Sequence, residues 1–353
     1  MFHVPQRVPA HFYNDYLWAL RLGDVGKVRQ LILLMSEQGL TADDVIRDVI
    51  APAQREIGRA WGSAMLTIAE EHQATAIAEE ALTLLLGPDE PASAAVRHGQ
   101  VLLCSAQDEW HSIAARMVAV VWRHFGWNVR LVVPSVPAGD LAEVLAGSDV
   151  MLAGVTCAMS ANVYGAWRTI STLRSRGVWV IAGGRGFGSG VWAERCARKL
   201  GADSYAADAA AGHSTLLHLR GLGSPGKRRG ATLEGRGEEA DRLMREGPRL
   251  VADCVELADG LRPGLLVDDD AARQARDDIS LLFRSAVSAM LIDAPWIINQ
   301  HTTWYHQLLL SSGADPTLGD LWVETLLLRL PQEARHLRAL IESRESSDGD
   351  ANA

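Results

Sequence analysis

Cysteine is scarce in this chain: four among 353 residues, scattered, with no C-x-x-C pair. That pattern excludes a zinc site built on paired cysteines and a disulfide framework, and it fits reduced thiols in a cytoplasmic protein. Long apolar runs are missing too, none reaching the roughly 20 residues a membrane-spanning helix needs. Met1–Ala10 carries no apolar core of signal-peptide type. Positive charge does not dominate, with 34 Lys and Arg against 43 Asp and Glu. The net charge of −9 disfavours nonspecific attraction to nucleic acid. Phenylalanine and tyrosine are sparse, five of each, whereas tryptophan reaches 11. Core packing accounts for most tryptophans, but large flat rings also make good neighbours for a flat ligand.

What is present is an ordinary globular composition, 48% hydrophobic and 22% charged, in a chain long enough for two or three domains. Residues 10–86 read as a helical bundle, with apolar residues at helical spacing over His11–Leu22, Val25–Glu37, Thr41–Trp61 and Ile68–Leu86. Thr41, followed by Asp43 and Asp44, supplies an N-cap with carboxylates in the first turn. Pro88 and Pro91 break the pattern. Strands are then expected near 100–105, 128–133, 150–155, 178–182 and 203–206, with helices between them. Right-handed crossovers turn that alternation into a doubly wound parallel sheet. Residues 223–237, rich in glycine and basic side chains, read as a flexible linker. A third, helical region follows over 238–345, with helices at Glu238–Asp259, Asp269–Ile292, Trp296–Ser312, Leu318–Arg329 and Glu333–Glu342, and then a disordered tail, 346–353. The expected fold class is therefore α/β plus α: a helical cap (1–88), a flavodoxin-like sheet domain (89–222) and a C-terminal helical domain.

Three short stretches carry the chemistry. In the first, Glu109 and His111 lie in a polar loop between the strand Gln100–Ser105 and the helix starting at Ile113. A histidine after a parallel strand sits where open α/β sheets bind ligands. Glu109 can take one ring nitrogen and leave the other free for a metal. An ordinary solvated loop histidine has the same sequence. The second stretch pairs Thr156-Cys157-Ala158, after one strand, with Gly183-Gly184-Arg185-Gly186, after the next. Glycines there allow a ligand or phosphate close to the backbone, and also suit a plain strand-to-helix turn. In the third, nine residues separate Trp61 from Glu71-His72. A solvated helix face beside a core tryptophan would read the same way.

Together, Glu109-x-His111-x-x-Ala114, Thr156-Cys157-Ala158 and Gly183-Gly184 resemble the cobalamin-binding module of methionine synthase, corrinoid methyltransferase proteins and CarH-type light-dependent repressors. The family pattern is Asp/Glu-x-His-x-x-Gly, then Ser-x-Leu or a variant, then Gly-Gly. Ala114 replaces its glycine, and Thr156-Cys157-Ala158 stands in the Ser-x-Leu region. The resemblance implies a corrinoid bound base-off with His111 on cobalt and the nucleotide tail beside the Thr156 and Gly183 loops. The Trp61…Glu71-His72 spacing resembles the cap of the CarH-type photoreceptors. That likeness implies Trp61 against the upper axial group, and Glu71 and His72 against the adenosyl moiety of adenosylcobalamin. Those repressors carry a histidine after the cap tryptophan. Here Gly62 stands in its place and cannot ligate cobalt; His72 is the nearest substitute.

The C-terminal helices exceed what such a module needs. They gather Trp296, His301, Trp304, Tyr305 and His306 in one helix, with His301 and Tyr305 on a shared face. A structural helical domain or dimer interface has equal claim to these residues. The overall architecture resembles the photocobilins, photoreceptors that bind cobalamin and biliverdin, which implies a bilin held near these side chains. The expected function is a cytoplasmic, non-enzymatic, cobalamin-dependent photoreceptor. Its expected partners are a second copy or a downstream signalling protein, with no direct DNA or membrane binding. The alternative is a corrinoid carrier protein of a methyltransferase system.

Overall fold

The computed structural model describes residues 8–86, 97–228, 230, 231 and 233–343. The bundle consists of α1 (Ala10–Leu22), α2 (Val25–Glu37), α3 (Ala42–Val45), α4 (Ala51–Gly62) and α5 (Ile68–Leu86). Thr41 caps α3 as expected: its hydroxyl accepts from the Asp44 N–H, while the Asp44 carboxylate accepts from the Thr41 N–H. The single helix expected over Thr41–Trp61 is interrupted. Ile46–Ile50 widen into a π turn in which the Ala51 N–H reaches the Ile46 carbonyl. Pro52, at the start of α4, explains the widening. It has no N–H to give, and its ring crowds the carbonyl one turn back.

Five parallel strands follow, β1 (Gln100–Ser105), β2 (Asn128–Val132), β3 (Leu152–Thr156), β4 (Trp179–Gly183) and β5 (Ser204–Ala206), in the order β2-β1-β3-β4-β5. This is the flavodoxin-like doubly wound order, whose direction reverses between β1 and β3. β3 and β4 end later than expected, so Thr156 and Gly183 are the last residues of their strands. The intervening helices are α6 (Ile113–His124), α7 (Ala138–Val144), α8 (Val163–Ser175), α9 (Gly190–Lys199) and α10 (Ala209–Gly221).

α6 serves two layers. Ala119 and Trp122 pack with Leu103 and Ile181 of the sheet, while Met117, Val120 and Val121 join the core of the bundle. Trp122 lies so close over Gly154 of β3 and Gly212 of α10 that a methyl group at either would fall within 3 Å of its ring. The opposite face of the sheet is covered by α8 and α9 and, beyond them, by α11 (Arg236–Leu261), α12 (Asp269–Ile292), α13 (Trp296–Ser312), α14 (Leu318–Arg329) and α15 (Arg335–Ser343). Val155 of β3, Ile170 of α8 and Ile279 of α12 belong to one contiguous core.

Residues 223–237, expected to be a flexible linker, are tied to the sheet domain. Arg228 pairs with Asp203 and places its guanidinium 4.6 Å from the Trp179 ring centre, and Leu233 is buried. Arg236 and Gly237 already belong to α11. The boundary expected at 88/89 and the tail 346–353 lie outside the described residues. All four cysteines are buried and free. Among the described residues no helix is long and apolar enough to cross a membrane.

Candidate functional site

The loop between β1 and α6 lies at the reversal of strand order, the place where sheets of this kind open a crevice at their carboxyl ends. Glu109 anchors it. The residue is 0% exposed. Its Oε1 accepts from the His111 N–H at 3.0 Å and lies 2.5 Å from His111 Nδ1. Its Oε2 accepts from the N–H groups of Ala158 (2.8 Å) and Met159 (3.1 Å) and from Asn162 Nδ2 (3.0 Å). One carboxylate thus ties the loop after β1 to the loop after β3. Burial alone would raise its pKa, but the hydrogen bonds from His111 and Asn162 outweigh it and hold the group down to about 2. The hydrogen bond to Glu109 raises the His111 pKa, partly offset by burial, and the cap carboxylate of Glu71 adds to the rise. With Nδ1 engaged and 56% of its side chain exposed, His111 presents Nε2 to the crevice. Among the described residues no three His, Cys, Asp or Glu side chains gather around a bare ion. His111 therefore offers a single ligand, which suits a metal that arrives with its own ligands.

The backbone here is shaped to fit. Asp108 has a positive φ of 65°, and its N–H donates to Ser135 Oγ at 2.6 Å. The Gln107 N–H donates to Thr169 Oγ1 at 3.0 Å, and Gly165 lets the Gln107 carbonyl press onto α8 where no Cβ would fit. Toward the cap, Glu79 of α5 accepts from Ser112 Oγ at 2.7 Å and pairs with Arg116 at 3.1 Å.

Ser105, Thr156, Gly183 and Ala206 form one row across the carboxyl ends of β1, β3, β4 and β5. By strand alternation they share the face of Leu103 and Ile181, which α6 and α10 cover. Ser105 Oγ is buried on that row with no hydrogen-bond partner among the described residues. Buried hydroxyls are normally satisfied, so this orphan suits a ligand atom. The glycine loop departs from expectation. A Cβ on Gly184, whose φ is 108°, would lie 2.3 Å from the Cys157 carbonyl oxygen, and one on Gly186 would lie 2.7 Å from that of Met159. These two glycines seat the loop after β4 on the loop after β3, so protein rather than ligand fills the close approach.

On the cap, Thr67 and Glu70 form the capping box of α5, and the charge of the next residue, Glu71, adds to the rise of the His111 pKa. Glu71 accepts from Thr75 Oγ1 at 2.9 Å, and the 71%-exposed His72 side chain lies 3.7 Å from Glu71 Oε2. Trp61, at the end of α4, is half-buried, with its ring centre 6.1 Å from that of Trp304 in α13. Trp304 also takes up the space ahead of Gly62, its Nε1 lying 3.6 Å from where a Cβ would be.

The aromatic set on α13 divides. His301 stacks on Tyr305 at 6.4 Å and 12°, close to Trp304, and burial lowers its pKa to about 4. Tyr305 donates to Asp278 Oδ2 and accepts from Trp322 Nε1, beside a pocket of about 440 Å3 whose walls include Leu266, Leu308 and Trp322. Trp296 points elsewhere, edge-on to Trp192 of α9 at 6.1 Å, and His306 is exposed on the outer side.

Sequence reasoning missed Ser105, Asn162 and Arg284. Arg284 of α12 donates to Asn162 Oδ1 and to the Asp108 carbonyl, the latter at 3.2 Å. Its signal was a lone charge within the apolar run Ile279–Ile292. Asn162 and Ser105 leave no comparable mark.

Comparison with known proteins bears on the bundle and on the fold. Residues 13–86, the bundle, match the family model described as B12 binding domain. The HTH-type transcriptional repressor CarH of Myxococcus xanthus is 29% identical over 140 residues, 39% of this chain and 46% of that protein, so the match spans less than half its length. The structure of the Methanosarcina barkeri monomethylamine corrinoid protein is similar in fold (TM-score 0.51, 18% identity), covering 60% of this chain and all of that one. The bundle match and the CarH likeness support a cobalamin-binding family for this chain.

Proposed function

We propose that this protein is a cobalamin-dependent photoreceptor that holds adenosylcobalamin base-off, with His111 as the lower axial ligand. The observation that carries the reading is the Glu109–His111 pair, 2.5 Å apart at the carboxyl edge of the sheet and facing a cap that matches the B12 binding domain. The donor set fits such a group. One imidazole nitrogen is presented, its other nitrogen is fixed by a carboxylate, and an unpartnered hydroxyl, Ser105, waits on the row expected to lie along the nucleotide tail. Thr156 and Gly183 share that row, while Gly184 contributes by seating the loop beside it.

When bound, adenosylcobalamin would supply a photolabile cobalt–carbon bond above His111. Trp61, Glu71 and His72 line the cap side and would hold the adenosyl group. Gly62 offers no ligand, so no bis-histidine state forms through that position. Trp61 touches Trp304, so a cap that shifts on losing its adenosyl contact moves against α13, and the C-terminal helices receive the signal. The role is non-catalytic. Its output passes to a second copy or a downstream protein in the cytoplasm, without direct DNA contact.

The reading extends to biliverdin on the C-terminal helices, near His301, Trp304 and Tyr305, with the pocket beside Tyr305 as its apolar wall. Trp296 and His306 lie too far apart in orientation to join one face with them. Coupling through Trp61 and Trp304 would be reciprocal: adenosylcobalamin changes biliverdin affinity by the factor that biliverdin changes adenosylcobalamin affinity. Titration of the full chain with each ligand in the presence of the other measures this. Absence of biliverdin uptake removes the bilin and leaves the cobalamin reading standing.

The corrinoid carrier reading is weaker because α13 stands against Trp61. A carrier has to expose its upper face to a methyltransferase, and that contact resists opening. Absorption spectra of the protein with adenosylcobalamin, before and after green light, decide between them. A light-induced loss of the adenosyl spectrum accompanied by a structural change in the protein, such as a shift in elution volume, supports the photoreceptor. Photolysis with no change in the protein refutes it.

A further inference from the structure

The C-terminal helices reach the lower-ligand loop through α12. Ser288 accepts from the Tyr164 N–H at 3.2 Å and donates to the Ala161 carbonyl at 3.0 Å, gripping the turn Ser160–Asn162. One turn earlier on α12, Arg284 donates to Asn162 Oδ1 and, at 3.2 Å, to the Asp108 carbonyl. Asn162 then donates Nδ2 to Glu109 Oε2 at 3.0 Å, and Glu109 holds His111. A chain of four side chains thus runs from the C-terminal helices to the imidazole.

We propose that Arg284 is a positioning residue for the axial histidine, and that through it the C-terminal helical region sets how firmly His111 is held. The proposal rests on the cobalamin reading above. The physical step lies in the Asn162 amide, which has a donor end and an acceptor end. Arg284 occupies the acceptor end, so the donor end must face the buried carboxylate. Without the guanidinium the amide loses the contact that fixes its orientation, and its Nδ2 is held on Glu109 less firmly. The buried Glu109 is then held less firmly by one of its donors, and its grip on His111 slackens. The second arm of Arg284, on the Asp108 carbonyl, holds the positive-φ residue immediately before Glu109. Both arms act on the same loop from one rigid helix.

Arg284→Ala and Arg284→Lys in the full chain test this, with Arg262→Ala as the control. Arg262 pairs with Asp315 elsewhere in the helical region. Hydrogen exchange of the ligand-free protein reads the amides of His111, Ala158 and Met159, all donors to Glu109. Release of adenosylcobalamin into a scavenger, followed by its absorption spectrum, reads the axial bond. In Arg284→Ala those amides exchange faster and adenosylcobalamin leaves about threefold to tenfold faster, less than loss of a partner in direct contact with a ligand residue typically costs. Arg284→Lys recovers part of both, since an ammonium keeps one contact but cannot fork to two. Wild-type exchange and release in Arg284→Ala overturn the proposal, as does the same change in Arg262→Ala. Faster exchange with unchanged release overturns it too, since the loop would then move without the ligand. Should Arg284→Ala not fold, Arg284→Lys alone decides: release at the wild-type rate counts against the proposal. Failure of the wild type to take up adenosylcobalamin removes the cobalamin reading instead, and exchange still judges whether Arg284 holds the loop.

Discussion

The lower and upper sides of the crevice are built to different standards. Below, Glu109 is enclosed and receives two loop N–H groups, an amide, the His111 N–H and its ring. Above, Glu71 has one hydroxyl partner, His72 is largely in solvent, and Trp61 rests half-buried against Trp304. A buried carboxylate survives only when its lone pairs are used, so the lower side is rigid before any ligand arrives. The cap side has no such requirement. Under the proposed function it would gain its remaining contacts from the ligand it covers, which would make it the side able to respond.

The largest expected effect separates the two sides by stability. Glu109→Ala leaves several buried donors unpaired and should cost about 3 kcal/mol in urea unfolding. Glu71→Ala should stay within about 0.5 kcal/mol of wild type. Equal losses would erase the comparison. Next comes Gly184→Ala, which forces a Cβ against the Cys157 carbonyl at a positive φ and should cost roughly 2 kcal/mol. A wild-type unfolding midpoint there would mean the two loops are not seated as described.

Acid exposes the same pair with opposite signs for stability and binding. Glu109 is held down to about 2 from an ordinary 4.5, so its stabilisation is complete above the ordinary value and is lost as pH falls toward 2. The His111 pKa is raised, chiefly by its hydrogen bond to Glu109, so its contribution to the unliganded fold is present below the ordinary 6.5 and fades as pH rises through the raised value. Cobalt ligation needs Nε2 without its proton. Cobalamin retention should therefore weaken as pH falls through the His111 range, while that part of the apo-protein's stability strengthens. Parallel trends in retention and apo-protein stability across that range would contradict the assignment. The smallest effect belongs to the cap: Trp61→Ala should leave cobalamin bound but reduce the preference for the adenosyl form over hydroxocobalamin. An unchanged preference would detach Trp61 from the upper face.

Periodicity disclosed most of the architecture, because α2, α5 and α13 each bury one apolar stripe, while α12 ends at the capping Asp293 and α14 just before Pro331. It missed the π turn before Pro52, which shifts register without changing the apolar pattern. It also missed the anchoring of Arg228, since a basic, glycine-rich stretch reads the same whether or not its charges find partners. At the site, Glu109 and His111 were legible because two residues in one loop carry the contact. Asn162 and Arg284 were not, because they reach Glu109 from sequence positions 53 and 175 residues away. The α13 cluster divides for a related reason: helical spacing put His301 and Tyr305 on one face, where they stack, but could not show which neighbours Trp296 and His306 would meet.

Electron paramagnetic resonance of the protein loaded with cob(II)alamin, with only the protein's histidines labelled with nitrogen-15, tests the central assignment most directly. A nitrogen-15 nucleus on the cobalt axis splits the signal into doublets, whereas the nitrogen-14 of the cofactor's own base splits it into triplets. Doublets in the wild type that vanish in His111→Ala are the predicted result. Triplets in the wild type, or doublets that survive in His111→Ala, would contradict it.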